Sequence, residues 1–89
     1  MKKININDLK PEYNIIDIRS NELYNLDHIY NSRNIDMNLL LTYPERYLNK
    51  NETYYIYCKS GYRSNKCVSE LSIMGYDVVD AGGYDNYLK

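Results

Sequence analysis

Short β-forming runs alternate along this chain with longer stretches of helical spacing, and that alternation restricts its possible folds more than any other feature. Ile15-Ile16-Asp17-Ile18 and Tyr54-Tyr55-Ile56-Tyr57-Cys58 are runs rich in β-branched and aromatic residues, short enough to be buried strands. Val78-Val79, bracketed by Gly75 and by Gly82-Gly83, is a third, and residues 3–6 and 34–37 are weaker candidates. The clearest helix lies between the second and third strong strands. There Cys67, Val68, Leu71 and Met74 fall on one face at i, i+1, i+4 and i+7, and Gly75 follows as a left-handed terminator. Shorter helices are expected after Asn7, after Ser20, at residues 44–48 and at residues 84–88, with Ser20 and Asn7 as N-caps. Strands separated by helices pair in parallel through crossovers. The expected fold is therefore α/β: an open, mainly parallel sheet of about five short strands with helices on both faces.

Eighty-nine residues make one domain, expected to span 1–89. The chain is 44% hydrophobic and 26% charged, which is ordinary for a globular protein. Twelve tyrosines with no Phe and no Trp reflect a composition bias that runs through the whole sequence. The net charge is -1, and the 11 basic and 12 acidic residues are interspersed, so no basic face invites nucleic acid. The start has two lysines but no apolar segment like that of a signal peptide, and no apolar run approaches the roughly 20 residues that span a bilayer. A cytoplasmic location and no membrane partner are the expectation. Cys58 and Cys67 have neither the spacing of a redox pair nor that of a zinc site, and neither a metal nor a cofactor is called for.

In open parallel sheets the ligand site lies beyond the carboxyl ends of the strands, where the chain turns into a helix. That rule singles out the turn after Tyr57. In Cys58-Lys59-Ser60-Gly61-Tyr62-Arg63-Ser64 a cysteine ends a strand and a short loop leads into the best helix. Gly61 permits backbone conformations in which successive N–H groups point inward as an anion nest. A helix beginning near Arg63 or Ser64 adds unpaired N–H groups and the positive end of its dipole, and Lys59 and Arg63 add full charge. These surroundings favour a thiolate over a thiol, without a general base, in a chain that has one His. The same donors would hold a persulfide, a weakly basic anion. Cys58 is the candidate catalytic residue, and Lys59, Ser60, Gly61, Tyr62, Arg63 and Ser64 are candidate substrate-binding residues.

These motifs, in this order, resemble the rhodanese domain over about residues 15–87. Ile15-Ile16-Asp17-Ile18-Arg19 is similar to the family's opening strand with its Asp-x-Arg ending. Glu22 and His28-Ile29 match its next elements, residues 58–64 resemble its active-site loop, and Gly75-Tyr76 and Ala81-Gly82-Gly83 match its helix end and closing turn. Asp27 stands where the family usually has Gly, Asn31-Ser32-Arg33 replaces a Pro-Gly-Ala turn, and Tyr87 falls in the region of a late Trp. Catalytic-cysteine phosphatases place five residues between Cys and Arg, whereas four separate Cys58 from Arg63 here, a shorter ring suited to sulfur. The resemblance implies a sulfurtransferase that takes sulfane sulfur from a small anionic donor such as thiosulfate. It would pass that sulfur from a Cys58 persulfide to cyanide, a thiol or a protein cysteine.

Competing readings stay open. Cys58 could be a structural thiol, and the domain could be a rhodanese-like binding or sensory module with little or no turnover. A redox sensor would need a Cys58–Cys67 disulfide. Cys67 is expected in the core, facing away from the loop, and His28 in a hydrogen-bonding role. Asp17 and Arg19 could be substrate groups but are expected to hold strand to loop through an ion pair or hydrogen bonds, and Tyr62 to shape the pocket mouth.

Overall fold

The structure, a computed structural model, describes residues 1–89. Five parallel strands form one sheet: β1 (Lys2–Lys3), β2 (Asn14–Asp17), β3 (Arg33–Asn34), β4 (Thr53–Cys58) and β5 (Asp77–Gly83), in the order β1-β5-β4-β2-β3. The α-helices are α1 (Asn21–Leu26), α2 (Met37–Thr42) and α3 (Tyr62–Ile73). The α/β fold expected from the alternation is the fold observed.

Side-chain alternation in the strands divides the core between the two faces. On one face Ile16, Ile56 and Val78 meet Leu40 of α2 and Val68 and Leu71 of α3. On the other, Ile15, Tyr57 and Ala81 meet Ile6 and Ile29, with Tyr84 and Tyr87 packed against them. The first face carries the longer helix, and 3-10 turns at Ile6–Asp8 and Tyr84–Asn86 help to close the second. No helix is long and apolar enough to cross a membrane.

Several element boundaries differ from the sequence expectation, each for a local reason. The expected helix after Asn7 is the 3-10 turn Ile6–Asp8, capped by Asn5, whose side chain accepts from the Asn7 amide at 2.9 Å. The weak strand at 3–6 is instead β1, one residue earlier, beside Val79 and Asp80. The strand piece at 34–37 reduces to β3, because the Asp36 carboxylate accepts from the Leu39 amide at 3.1 Å and starts α2 there. The helices expected at 44–48 and 84–88 are single 3-10 turns, Pro44–Arg46 and Tyr84–Asn86. Ser20 caps α1 as expected. Met74, expected on the inner face of α3, is 41% exposed. The helix has already ended there: Gly75 takes φ +95°, its amide reaches the Ser72 carbonyl, and the Tyr76 amide reaches that of Leu71.

A bulge in β5 bears on the site. Ile56 pairs with Asp80, but the next residue, Tyr57, pairs with Gly82, so one strand has gained a residue. The Asp80 carboxylate takes up the Gly82 amide at 2.9 Å and braces the bulge. Beyond it, Gly83 lies opposite Cys58.

Candidate active site

Cys58 ends β4 and is 2% exposed. Its Sγ accepts hydrogen bonds from the Gly61 amide at 3.0 Å and the Ser64 amide at 3.3 Å. Local sequence produces both donors. Gly61 turns the chain at φ +101°, a conformation costly to any residue with a Cβ. α3 then begins at Tyr62, slightly earlier than expected, which leaves the Ser64 N–H in the first turn without a helical carbonyl. The amides of Lys59, Ser60, Tyr62 and Arg63 donate to nothing within the protein. The loop therefore has donors in reserve for a larger anion.

Two residues of β5 hold that loop in place. Ser64 is fully buried, and its Oγ donates to Asp80 Oδ1 at 2.7 Å. A Cβ on Gly83 would stand 2.5 Å from the Ser60 carbonyl carbon and 2.6 Å from the Lys59 oxygen, so the loop rests directly on backbone. Just beyond, the Asp85 amide donates to the Lys59 carbonyl at 3.0 Å. The Lys59 ammonium pairs with the Asp85 carboxylate at 3.1 Å, an arrangement the sequence did not suggest.

A cavity of about 350 Å³ opens over the thiol. Cys58, Lys59, Ser60, Tyr62 and Arg63 line one part of it, and Ile18, Arg19, Ser20 and Leu23 line the rest. Tyr62 is 79% exposed at its mouth, and Arg63 is exposed and makes no ion pair. Arg19 is committed elsewhere. Its Nε and Nη2 donate to both oxygens of the fully buried Asp17, and Nη2 also reaches the Asp27 carbonyl at 2.6 Å. Burial alone would lower the Arg19 pKa, but the Asp17 hydrogen bonds and charge overcome that and hold it above its ordinary value. The expected ion pair is present.

Neither of the other titratable candidates hydrogen-bonds the Cys58 sulfur, although Cys67 packs in the same core cluster. His28 is exposed, with Nδ1 2.7 Å from the Tyr24 carbonyl and its ring stacked on Tyr24, the hydrogen-bonding role expected of it. Cys67 is fully buried on α3, where burial first, and then the Glu70 charge, push its thiol up to about 12. Both cysteines are free.

Residues 58–64 thus come together around one sulfur, with Gly61 and Ser64 touching it, Tyr62 and Arg63 at the rim and Lys59 turned to Asp85. Sequence reasoning missed Ile18, Ser20 and Leu23 as cavity lining, although the strand-end rule that selected the turn after β4 applies equally to neighbouring β2. It also missed Asp80. An acid inside a Val-Val-Asp-Ala strand needs a buried partner, and that was the available signal.

A five-stranded parallel α/β sheet with a cysteine loop at a strand–helix junction defines a class of small thiol-centred domains. Within it, the rhodanese-like domain family model matches residues 2–89, and the chain belongs to that family. A structure from Staphylococcus saprophyticus is 34% identical with a TM-score of 0.85, over 99% of this chain and 94% of that one. A rhodanese-like domain protein from Staphylococcus aureus is 31% identical with a TM-score of 0.73, over 100% and 99% of the two chains. A rhodanese from E. coli, solved with anions, is 32% identical with a TM-score of 0.74, over 83% and 89%. None of the curated proteins compared matches.

Proposed function

We propose that the protein is a sulfurtransferase, moving sulfane sulfur from thiosulfate or a similar anionic donor to a thiol or cyanide acceptor through a persulfide on Cys58. The observation that carries this reading is the pair of amides, Gly61 and Ser64, directed at Cys58 Sγ, with four further loop amides unpaired. Preorganised donors of this kind stabilise negative charge on sulfur without cofactor or metal. The E. coli relative, described as a rhodanese with anions, is consistent with an anionic donor.

In the first half-reaction the Cys58 thiolate attacks the outer sulfur of the donor. The donor's S–S bond breaks, its electron pair leaves with sulfite, and Cys58 holds the persulfide. In the second, the acceptor attacks that outer sulfur and Cys58 leaves as thiolate, a ping-pong cycle with no net redox change at the enzyme. Lys59, Ser60, Gly61, Tyr62, Arg63 and Ser64 form the substrate-binding loop. A cytoplasmic setting suits two unpaired thiols, and it is the location proposed.

Mass spectrometry after thiosulfate treatment tests the reading. Wild type should gain one sulfur on Cys58 and pass it to cyanide, while Cys58→Ser should do neither. Sulfur transfer by Cys58→Ser would overturn the assignment. No adduct on wild type would favour a docking module instead.

A further inference from the structure

We infer that Asp80, buried behind the cysteine loop, is a positioning residue whose negative charge keeps the Cys58 thiolate a strong nucleophile; the inference rests on Cys58 being the nucleophile of the proposed transfer. The carboxylate is 6% exposed and belongs to no ion pair. Three neutral donors hold it instead: the Ser64 hydroxyl at 2.7 Å, the Gly82 amide at 2.9 Å and the Asn65 side-chain amide at 3.3 Å. Such bonds satisfy its oxygens without cancelling its charge. A neutral acceptor would brace the bulge equally well, so an unpaired buried carboxylate calls for a further reason.

Ser64 ties the carboxylate to the thiol. Its amide donates to Cys58 Sγ at 3.3 Å while its hydroxyl donates to Asp80, so both groups lie at the same end of α3 and share the positive pole of its dipole. They also share a face of the sheet. Asp80 stands opposite Ile56, one side-chain step before Cys58. Cys67 registers both charges: its thiol, pushed up by burial first and by Glu70 second, is pushed up further by Cys58 and by Asp80. Nearby cations leave the carboxylate unmatched. Lys3, its neighbour in register on β1, is exposed and unpaired, Arg19 and Lys59 are bound to Asp17 and Asp85, and Arg63 is exposed.

Converging amides alone would hold negative charge so well that the sulfur would attack slowly, because a thiolate loses nucleophilicity as its basicity falls. A like charge in the low-dielectric core works in the opposite sense and returns electron density to the sulfur. Asp80 therefore sets the balance between how much thiolate is present and how fast it attacks.

The test is the pH profile of Cys58 alkylation by iodoacetamide, a neutral reagent, in wild type, Asp80→Asn and Ser64→Ala, with circular dichroism to verify folding. Asparagine keeps an acceptor oxygen for Ser64 and Gly82 and removes the charge alone. Asp80→Asn should shift the profile about one pH unit toward acid and lower its alkaline plateau about threefold. It then reacts faster than wild type on the acid limb and slower on the plateau. Ser64→Ala breaks the bond but keeps the charge, and its profile should show no acidward shift. A purely structural Asp80 predicts slower alkylation by Asp80→Asn at every pH with an unmoved midpoint. That result, or an acidward shift in Ser64→Ala, overturns the inference; should Asp80→Asn fail to fold, the Ser64→Ala profile decides. Thiosulfate loading of wild type is measured beside it. No adduct overturns sulfur transfer, whereas a loaded wild type with an unmoved Asp80→Asn profile overturns the inference alone.

Discussion

Arg19 shows how one side chain can serve stability beside a reactive centre. Arg19 lies two positions beyond Asp17, the last residue of β2, so the chain leaving the strand brings both its amide and its guanidinium to the carboxylate. Asp17 is 0% exposed and Arg19 9%, so neither charge has water to fall back on. The Tyr57 and Tyr84 rings flank the guanidinium at 5.6 and 4.2 Å. Replacing Arg19 by Ala strands a buried carboxylate, and we expect a loss of about 3–5 kcal/mol in urea unfolding. Exposed Arg63, by contrast, should change stability by roughly 0.5 kcal/mol or less when replaced by Ala. A comparable loss in both variants would contradict the buried-pair account. This pairing was legible in the sequence, because the two partners are only two positions apart where the strand runs into the loop.

β5 acts on the site as a unit, although it contributes no reactive group. Its bulge, the Asp80–Ser64 bond and Gly83 together set how closely the loop approaches the sheet. The two glycines differ in what they permit. Gly82 has φ +81° but a Cβ there would meet nothing within 4 Å, so Gly82→Ala should cost only backbone strain, about 1–2 kcal/mol. Gly83 has ordinary extended backbone but no space, so Gly83→Ala must push residues 59–60 off the strand and disturb the amides facing Cys58. We expect Gly83→Ala to slow Cys58 alkylation and sulfur uptake far more than Gly82→Ala does. Rate measurements beside circular dichroism, to verify that both variants are folded, check this; equal rates would mean that the loop's seat on β5 is immaterial. The paired glycines were visible in the sequence, but their unequal roles were not, since the loop they meet lies more than twenty residues earlier.

For the molecule as a whole, the buried thiol of Cys67 ties stability to pH. Its proton is held up to about 12 in the fold but released near 9 once unfolded. Across that window the unfolded state binds fewer protons, so stability falls as pH rises, by about 1.4 kcal/mol per unit for a single group. Tyr57, pushed up by burial and then by Asp17, adds to the same trend at the alkaline end. Cys67→Ala should flatten the slope by about one proton between about pH 10 and 11 in urea titrations; an unchanged slope would show that the thiol is not the source. The division between what the chain shows beforehand and what it does not follows the range of the forces involved. Strand runs, a glycine-ended amphipathic helix and the cysteine loop between them are preferences acting over a few neighbouring residues, and they were legible along the chain. α2 was not: six residues make a marginal helix alone, and its persistence depends on burying Leu40 in the core it shares with α3. Nor could the direction of Lys59 be read, because its partner Asp85 is 26 positions away and arrives only when β5 folds beside β4. Ser64 meets Asp80 by the same route. Charge and packing partners are chosen by distance in space, and that distance exists only after the sheet has formed.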